Sequence, residues 1–256
     1  MNIRHIDTAC VAFELSGVRF LTDPCFDQPG RLYHYGFGAV SRKTGTAAAK
    51  KEDISVPDIV LLSHHQHGDN LDRSGEEFLK TCPLGFSTTS AARKFSNLRG
   101  LRPWESVELE IKGKQLRVTG IPARHRPIWL PEFFSGKVLG FVLELEGKTI
   151  YITGDTVYFK ALGELSRRFG PIDLVIPHMG SVEFHYLTAW ARYTMDSKQA
   201  VRLLNEIKPD YAFPIHFQGW THFKETEEKI RGNFAALAPG IQLTWPRSGE
   251  TQTLEI

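Results

Sequence analysis

Short apolar runs opened by an aspartate and closed near a histidine recur along this chain. They are Asp58-Ile59-Val60-Leu61-Leu62 before His64 and His65, Asp173-Leu174-Val175-Ile176-Pro177-His178, and Asp210-Tyr211-Ala212-Phe213-Pro214-Ile215-His216. Runs of this length and composition read as buried strands. Ile121-Pro122-Ala123-Arg124-His125 delivers a further histidine, and Thr149-Ile150-Tyr151-Ile152-Thr153-Gly154-Asp155-Thr156 delivers an aspartate after a glycine. Open sheets collect functional groups at the carboxyl ends of their strands, so the pattern directs these side chains to one edge.

The same pattern carries a weak internal repeat. Residues 13–23 can be laid over 143–153, and each segment reads as a hairpin turning at a glycine, Gly17 or Gly147. Each then feeds a helix-bearing segment and an Asp-led strand, which predicts two similar halves meeting sheet against sheet with helices outside. The helix over 196–207 is the most legible, with apolar positions 200, 203, 204 and 207 on one face and Asp196 or Ser197 as N-cap. Further helices are predicted over 73–81, 90–97, 158–169 and 223–237. The expected fold is α/β: a four-layer αββα sandwich of two mixed β-sheets with outer helices. It would form a single domain over 1–256, with halves at about 1–125 and 136–256.

Composition narrows the function classes. A formal net charge of +2, with acids and bases interspersed, gives no reason to expect nucleic acid or stable membrane association. Cys10, Cys25 and Cys82 are odd in number and irregularly spaced, so neither a disulfide framework nor a thiolate metal site is expected. The first residues lack a secretory pattern and no segment is long enough to span a bilayer, which places the protein in the cytoplasm. A small-molecule substrate is expected, and a homo-oligomer is left open.

The chemistry concentrates in Leu61-Leu62-Ser63-His64-His65-Gln66-His67-Gly68-Asp69-Asn70-Leu71-Asp72. A tight turn at Ser63 would swing His65 and His67 toward one point, where imidazoles suit zinc, manganese or iron and Asp69 adds the charge a second ion requires. A solvated histidine-rich turn is the alternative, and the histidines at other strand ends weigh against it.

The order His65-x-His67-x-Asp69, then His125, then Asp155 in a Gly-Asp-Thr turn, then His216, resembles the metallo-β-lactamase fold hydrolases over nearly the whole chain. Within them it is most similar to the L-ascorbate-6-phosphate lactonase-like branch, whose motif also runs into Leu-Asp, as Leu71-Asp72 does here. It is also similar to N-acyl phosphatidylethanolamine phospholipase D-type proteins. The resemblance implies that His65, His67 and His125 hold one divalent ion, most simply Zn²⁺ with Mn²⁺ or Fe²⁺ as alternatives. Asp69, Asp155 and His216 would hold or bridge to a second. It departs at Asn70, where the family carries a histidine, so His64 and His178 become candidates for a substitute ligand or for supporting roles behind the ligands.

Such a site implies hydrolysis by hydroxide, because a divalent ion lowers the pKa of a bound water to about 7. Asp69 and Asp155 would orient that water, and a lactone, ester or phosphodiester of a small or lipid-like molecule would be the target. Three aromatic loops would build the pocket: 28–38 as a mobile lid with Tyr35, 127–134 with Trp129, and 184–193 with His185. Arg124, Arg126 and Arg192 are candidates to hold a substrate phosphate or carboxylate. A weakened metal-binding scaffold of the same fold is the alternative function.

Overall fold

A computed structural model describes residues 1–238 and 240–256, with residue 133 described by its backbone alone. Two seven-stranded mixed sheets make the body. In spatial order, the first holds β16 (Thr251–Thr253), β1 (Asn2–Asp7), β2 (Cys10–Leu15), β3 (Val18–Thr22), β6 (Ile59–Leu61), β7 (Gly85–Thr88) and β8 (Leu98–Leu101). The second holds β15 (Gln242–Leu243), β14 (Tyr211–Ala212), β13 (Leu174–Ile176), β12 (Lys148–Ile152), β11 (Leu139–Leu145), β10 (Lys114–Pro122) and β9 (Ser106–Ile111). The chain changes sheets between β8 and β9 and returns at β16. The sheets therefore divide earlier than the boundary between 125 and 136 expected from the repeat.

The predicted repeat is visible in the hairpins. β2–β3 turns at Ser16 (φ 50°) and Gly17 (φ 79°), and β11–β12 turns at Glu146 (φ 50°) and Gly147 (φ 76°). Two consecutive residues with positive φ twist with the strands they join, which is why both hairpins are tight. Each second strand is then flanked by a parallel one, β6 beside β3 and β13 beside β12. The aspartates that open those parallel strands do the same job in both halves. Asp58 accepts the Arg19 N–H at 2.8 Å and Asp173 accepts the Thr149 N–H at 2.7 Å, each fixing the register of its neighbour.

One apolar core lies between the sheets, with Phe13 stacked on Phe20 at 4.9 Å and Phe86, Phe141, Ile150 and Phe213 fully buried around them. A second layer packs α1 (Arg73–Leu79) and α2 (Thr89–Lys94) on the first sheet. A third packs α5 (Ser197–Ile207), α6 (Glu227–Leu237) and α3 (Leu165–Phe169) on the other, and the short α4 (His185–Thr188) lies between α3 and α5 in sequence. This is the predicted αββα sandwich. Asp196 is the N-cap of α5, accepting the Gln199 N–H at 2.8 Å, and positions 200, 203, 204 and 207 are buried as the periodicity requires. The helix expected over 158–169 is instead a 3-10 turn, Lys160–Glu164, leading into α3. Cys10, Cys25 and Cys82 are buried and free.

The segment expected to be a mobile lid folds as a hairpin, β4 (Leu32–Gly36) with β5 (Ala39–Arg42). Its base is tied down. Tyr33 donates to Asp27, and its ring meets Trp220 edge-on at 4.9 Å. The same ring passes so close to Gly68 that a Cβ there would sit 2.2 Å from it. Burial disfavours the charged form of Asp27, yet hydrogen bonds from Ser74, Tyr33 and Arg31 outweigh it and hold its pKa down to about 2. A depressed carboxylate adds stability above its unfolded pKa of about 3.9 that is lost as pH falls through its folded value. The wild-type protein should therefore lose stability between roughly pH 4 and pH 2, and Asp27→Asn should lose less over that interval. Urea denaturation of both proteins at pH 5 and pH 2.5 reads this, and equal acid sensitivity would exclude it.

Candidate metal centre

The strand ends of both sheets meet at one edge and are stitched together there. Leu139 N–H of the second sheet bonds Ser63 O of the first at 3.1 Å, and His216 N–H bonds Thr8 O at 3.0 Å. Gly154 permits the turn before Asp155, since with φ +59° it lies against Leu139 O, 2.4 Å from where a Cβ would be.

Two groups of side chains converge in this seam. His64, His67 and His125 form one, and Asp69, Asp155 and His216 the other; within each, the ligand atoms lie within 4.8 Å of one another and all six residues are buried. The outer ring nitrogens show how the first group is aimed. Asp23 Oδ1 accepts both the Ser63 N–H and the Ser63 hydroxyl at 2.8 Å, so Ser63 Oγ is left to accept from His64 Nδ1 at 2.9 Å. His125 Nδ1 donates to Tyr193 O at 2.9 Å, and His216 Nδ1 donates to Met179 O at 3.3 Å. With those protons placed outward, Nε2 of His64 and of His125 turns a lone pair inward, while His216 Nε2 is aimed at the carboxylates of the second group.

Inward lone pairs need a positive charge between them. His67 Nδ1 faces His64 Nε2 at 2.9 Å and His125 Nε2 at 3.2 Å, and burial pushes the His67 pKa down to about 3, so the ring stays neutral. His216 Nε2 lies 3.3 Å from Asp69 and 3.5 Å from Asp155. Those carboxylates overcome the effect of burial and push the His216 pKa up to about 9. Asp69 Oδ1, Asp155 Oδ2 and His216 Nε2 are buried with no hydrogen bond of acceptable geometry. The mutually facing imidazole nitrogens of the first group and the orphaned carboxylate oxygens of the second fit divalent ions, and the imidazole and carboxylate donors suit zinc, manganese or iron.

The placement corrects the first ligand expected from sequence. His65 belongs to neither group: it is half-buried, with its ring edge-on to Phe95 at 6.3 Å, and His64 takes its place beside His67 and His125. The other five residues that the resemblance implied as ligands lie in these two groups. Asn70 and His178 stand behind Asp155 Oδ1 at 3.4 and 3.1 Å, and the Asn70 amide also reaches Ser63 Oγ at 3.3 Å. Both orient that carboxylate.

His222 escaped the reading from sequence. Its Nε2 lies 3.1 Å from Asp69 Oδ2, both ring nitrogens are buried without a hydrogen bond, and Trp220 stacks on the ring at 5.7 Å. No apolar run leads into it, so the strand-end signal is missing. Its six-residue separation from His216 was the available cue.

An apolar pocket of about 230 Å³ opens onto His67, Asp69 and His125. Tyr35 and Trp129, both expected to meet substrate, line it together with Phe37, Leu130, Phe184 and Tyr193. All three predicted loops thus contribute. The expected cationic contacts lie elsewhere. Arg124 is over the Phe159 ring at 4.8 Å, Arg126 holds the carbonyls of its own loop, including Leu130 O at 2.5 Å, and Arg192 pairs with Glu183 at 3.2 Å and Asp196 at 2.7 Å. His185 is also paired with Glu183. Among the described residues that line the pocket there is no lysine or arginine. Phe133, in the same predicted loop as Trp129, has a side chain outside the described residues. No helix among the described residues is long and apolar enough to cross a membrane.

Comparison with known proteins agrees with the geometry. Residues 18–217 match the beta-lactamase superfamily domain. A metal-dependent hydrolase of Carboxydothermus hydrogenoformans is 27% identical over 253 residues, covering 96% of this chain and 97% of its own. One of Pyrococcus abyssi is 27% identical over 211 residues, covering 77% and 85%. Among solved structures, an isothiocyanate hydrolase from Delia radicum gut bacteria superposes with a TM-score of 0.81 at 21% identity, covering 99% of both chains. A metallo hydrolase of Ignicoccus hospitalis does so with a TM-score of 0.73 at 18% identity, covering 100% and 98%.

Proposed function

This chain belongs to the β-lactamase superfamily as a metal-dependent hydrolase, and from that premise we propose that it cleaves an ester, lactone or related acyl-type bond in a small, uncharged, largely apolar molecule. The observation that carries the reading is the pairing of a two-group His/Asp floor with an apolar, cation-free wall. A phosphorylated or carboxylated substrate would enter that wall without a counter-charge, at a desolvation cost the pocket does not offset. The phosphodiester alternative is weaker for the same reason.

His64, His67 and His125 would hold one ion, and Asp69, Asp155 and His216 the other, with zinc favoured by the nitrogen-rich first group. When bound, such ions supply Lewis acidity and a nucleophile at neutral pH. The chain's own residues do the rest. Ser63, Tyr193 O and Met179 O fix the imidazole tautomers, His178 and Asn70 orient Asp155, and the aromatic wall excludes bulk water from the reacting group. At about 230 Å³, the pocket is smaller than the roughly 300–1,000 Å³ typical of sites for drug-sized ligands.

The test is elemental analysis of the purified protein, joined to a hydrolysis panel. Two equivalents of metal per chain are expected, with turnover of neutral lactones and aryl esters above that of a phosphorylated lactone or bis(p-nitrophenyl) phosphate. Because one fold neighbour is an isothiocyanate hydrolase, phenethyl isothiocyanate, a neutral apolar electrophile, belongs in the panel. Preference for the anionic substrates would overturn the substrate reading. Absence of any metal after reconstitution would overturn the site.

A further inference from the structure

His222 is a buried imidazole that neither ligand group absorbs. It is 2% exposed, and its Nε2 faces Asp69 Oδ2 at 3.1 Å. The same oxygen faces His216 Nε2 at 3.3 Å. Two donors at about 2.0–2.1 Å from one tetrahedrally coordinated ion stand about 3.3–3.4 Å apart, so both separations are close to those of neighbouring ligands around one centre. The two imidazoles also share a neighbour. Phe223 meets His216 at 4.9 Å and His222 at 4.6 Å, edge-on to each.

The position of His222 is built from both sides. Thr221 N–H bonds Arg42 O at 3.1 Å, and Lys224 N–H bonds Gly180 O at 3.0 Å. Trp220 stacks on the imidazole at 5.7 Å, and Tyr35 and Phe184 close around it at 5.3 and 5.8 Å, which holds the ring against Asp69. Charge agrees with a cation at this point. The buried carboxylates of Asp69 and Asp155 balance one divalent ion when both imidazoles act as neutral donors. The described residues that line the pocket include His67, Asp69 and His125 but neither His216 nor His222. The two groups therefore differ in access.

We propose that His222 is a fourth protein ligand of the ion that Asp69, Asp155 and His216 would hold. It would close that site and leave the open coordination position at His64, His67 and His125, where the pocket opens. Sites with four protein donors are closed, and those with three keep a position for a reacting molecule. The inference rests on the metal-centre reading. It also accounts for the departure at Asn70, whose amide nitrogen is turned to Ser63 Oγ and Asp155 Oδ1, because the missing nitrogen donor then comes from the loop after His216.

Cobalt(II)-loaded protein tests it without turnover. Each imidazole bound to cobalt gives one strongly shifted exchangeable N–H resonance in the proton NMR spectrum. The wild type with two ions should show five, from His64, His67, His125, His216 and His222, and His222→Phe, which keeps an aromatic ring in the same packing, should show four. Titration of the metal-free proteins with cobalt against a chromophoric chelator should find one of the two dissociation constants weakened about a hundredfold or more in His222→Phe and the other within about threefold of wild type. His222→Ala gives the same comparison if circular dichroism shows that the phenylalanine variant does not fold. Four resonances in a wild type that holds two ions would overturn the inference and leave the metal centre standing, with His222 a positioning residue acting through Asp69. Two unchanged constants in the variant would overturn it as well. A wild-type protein that takes up no metal would overturn the metal centre and this ligand with it.

Discussion

His64→Ala is expected to lose about one equivalent of bound metal per chain and to lower turnover on the order of a thousandfold, whereas His65→Ala should bind metal and turn over like the wild type. The magnitude follows from several kcal/mol of transition-state stabilisation by a bound ion, at about 1.4 kcal/mol per tenfold in rate. The two residues are neighbours of the same type, so the comparison isolates direction. His64 Nε2 faces His67 Nδ1 at 2.9 Å with its own Nδ1 fixed by Ser63, while His65 packs beside Phe95 outside both groups. Metal content and kcat/KM for both variants, with circular dichroism to establish folding, decide it. If His65→Ala lost the metal and His64→Ala kept it, the regular His-x-His spacing would be the true ligand pattern and the seam described above would be misassigned.

That contrast marks where the sequence stops being readable. Asp-led apolar runs were enough to identify β6, β13 and β14 and the side chains at their ends, because burial on both faces leaves a continuous apolar signature. Both hairpin turns were legible from Gly17 and Gly147, and α5 from its period and cap. The choice between His64 and His65 depends on how the turn at Ser63 is gripped, and the grip comes from Asp23, distant in sequence. Nothing local encodes it. His222 was hidden for a related reason, since it reaches Asp69 from a loop whose course is set by aromatic packing against Trp220 and Phe223. The arginines failed as substrate contacts because a sequence does not show that Glu183 and Asp196 claim Arg192, or that the carbonyls of its own loop claim Arg126.

Lys43→Met should destabilise the protein by about 3–5 kcal/mol, the usual consequence of removing one partner from a buried charge network. Lys43 is fully buried and pairs with Asp7 and, at 3.3 Å, with Asp72. Asp72 is the acid that ends the ligand-bearing segment. It accepts the N–H groups of Phe26 at 2.7 Å, Asp27 at 2.6 Å and Gly75 at 2.8 Å, so it caps α1 while anchoring the approach to the β4–β5 hairpin. Asp7 precedes Thr8, whose carbonyl receives the His216 N–H, and Lys43 itself bridges to Trp220 beside His222. One ammonium thus joins the strand end behind His216, the helix after the ligand turn, and the hairpin that carries Tyr35. Burial already raises the Asp72 pKa and Lys43 opposes that rise, so removing the lysine pushes it further up. A carboxylate with a raised folded pKa penalises folding above that value, and the penalty fades as pH falls toward the unfolded pKa of about 3.9. The deficit of Lys43→Met should therefore be largest near neutral pH and shrink on acidification, and adding Asp7→Asn should restore part of it by removing one uncompensated charge. At about 2–4 °C per kcal/mol for a chain of this size, the midpoint should fall by roughly 10 °C at pH 7. A Lys43→Met protein that melts within about 2 °C of wild type, or whose deficit grows on acidification, would show that the ammonium does not hold these three segments together.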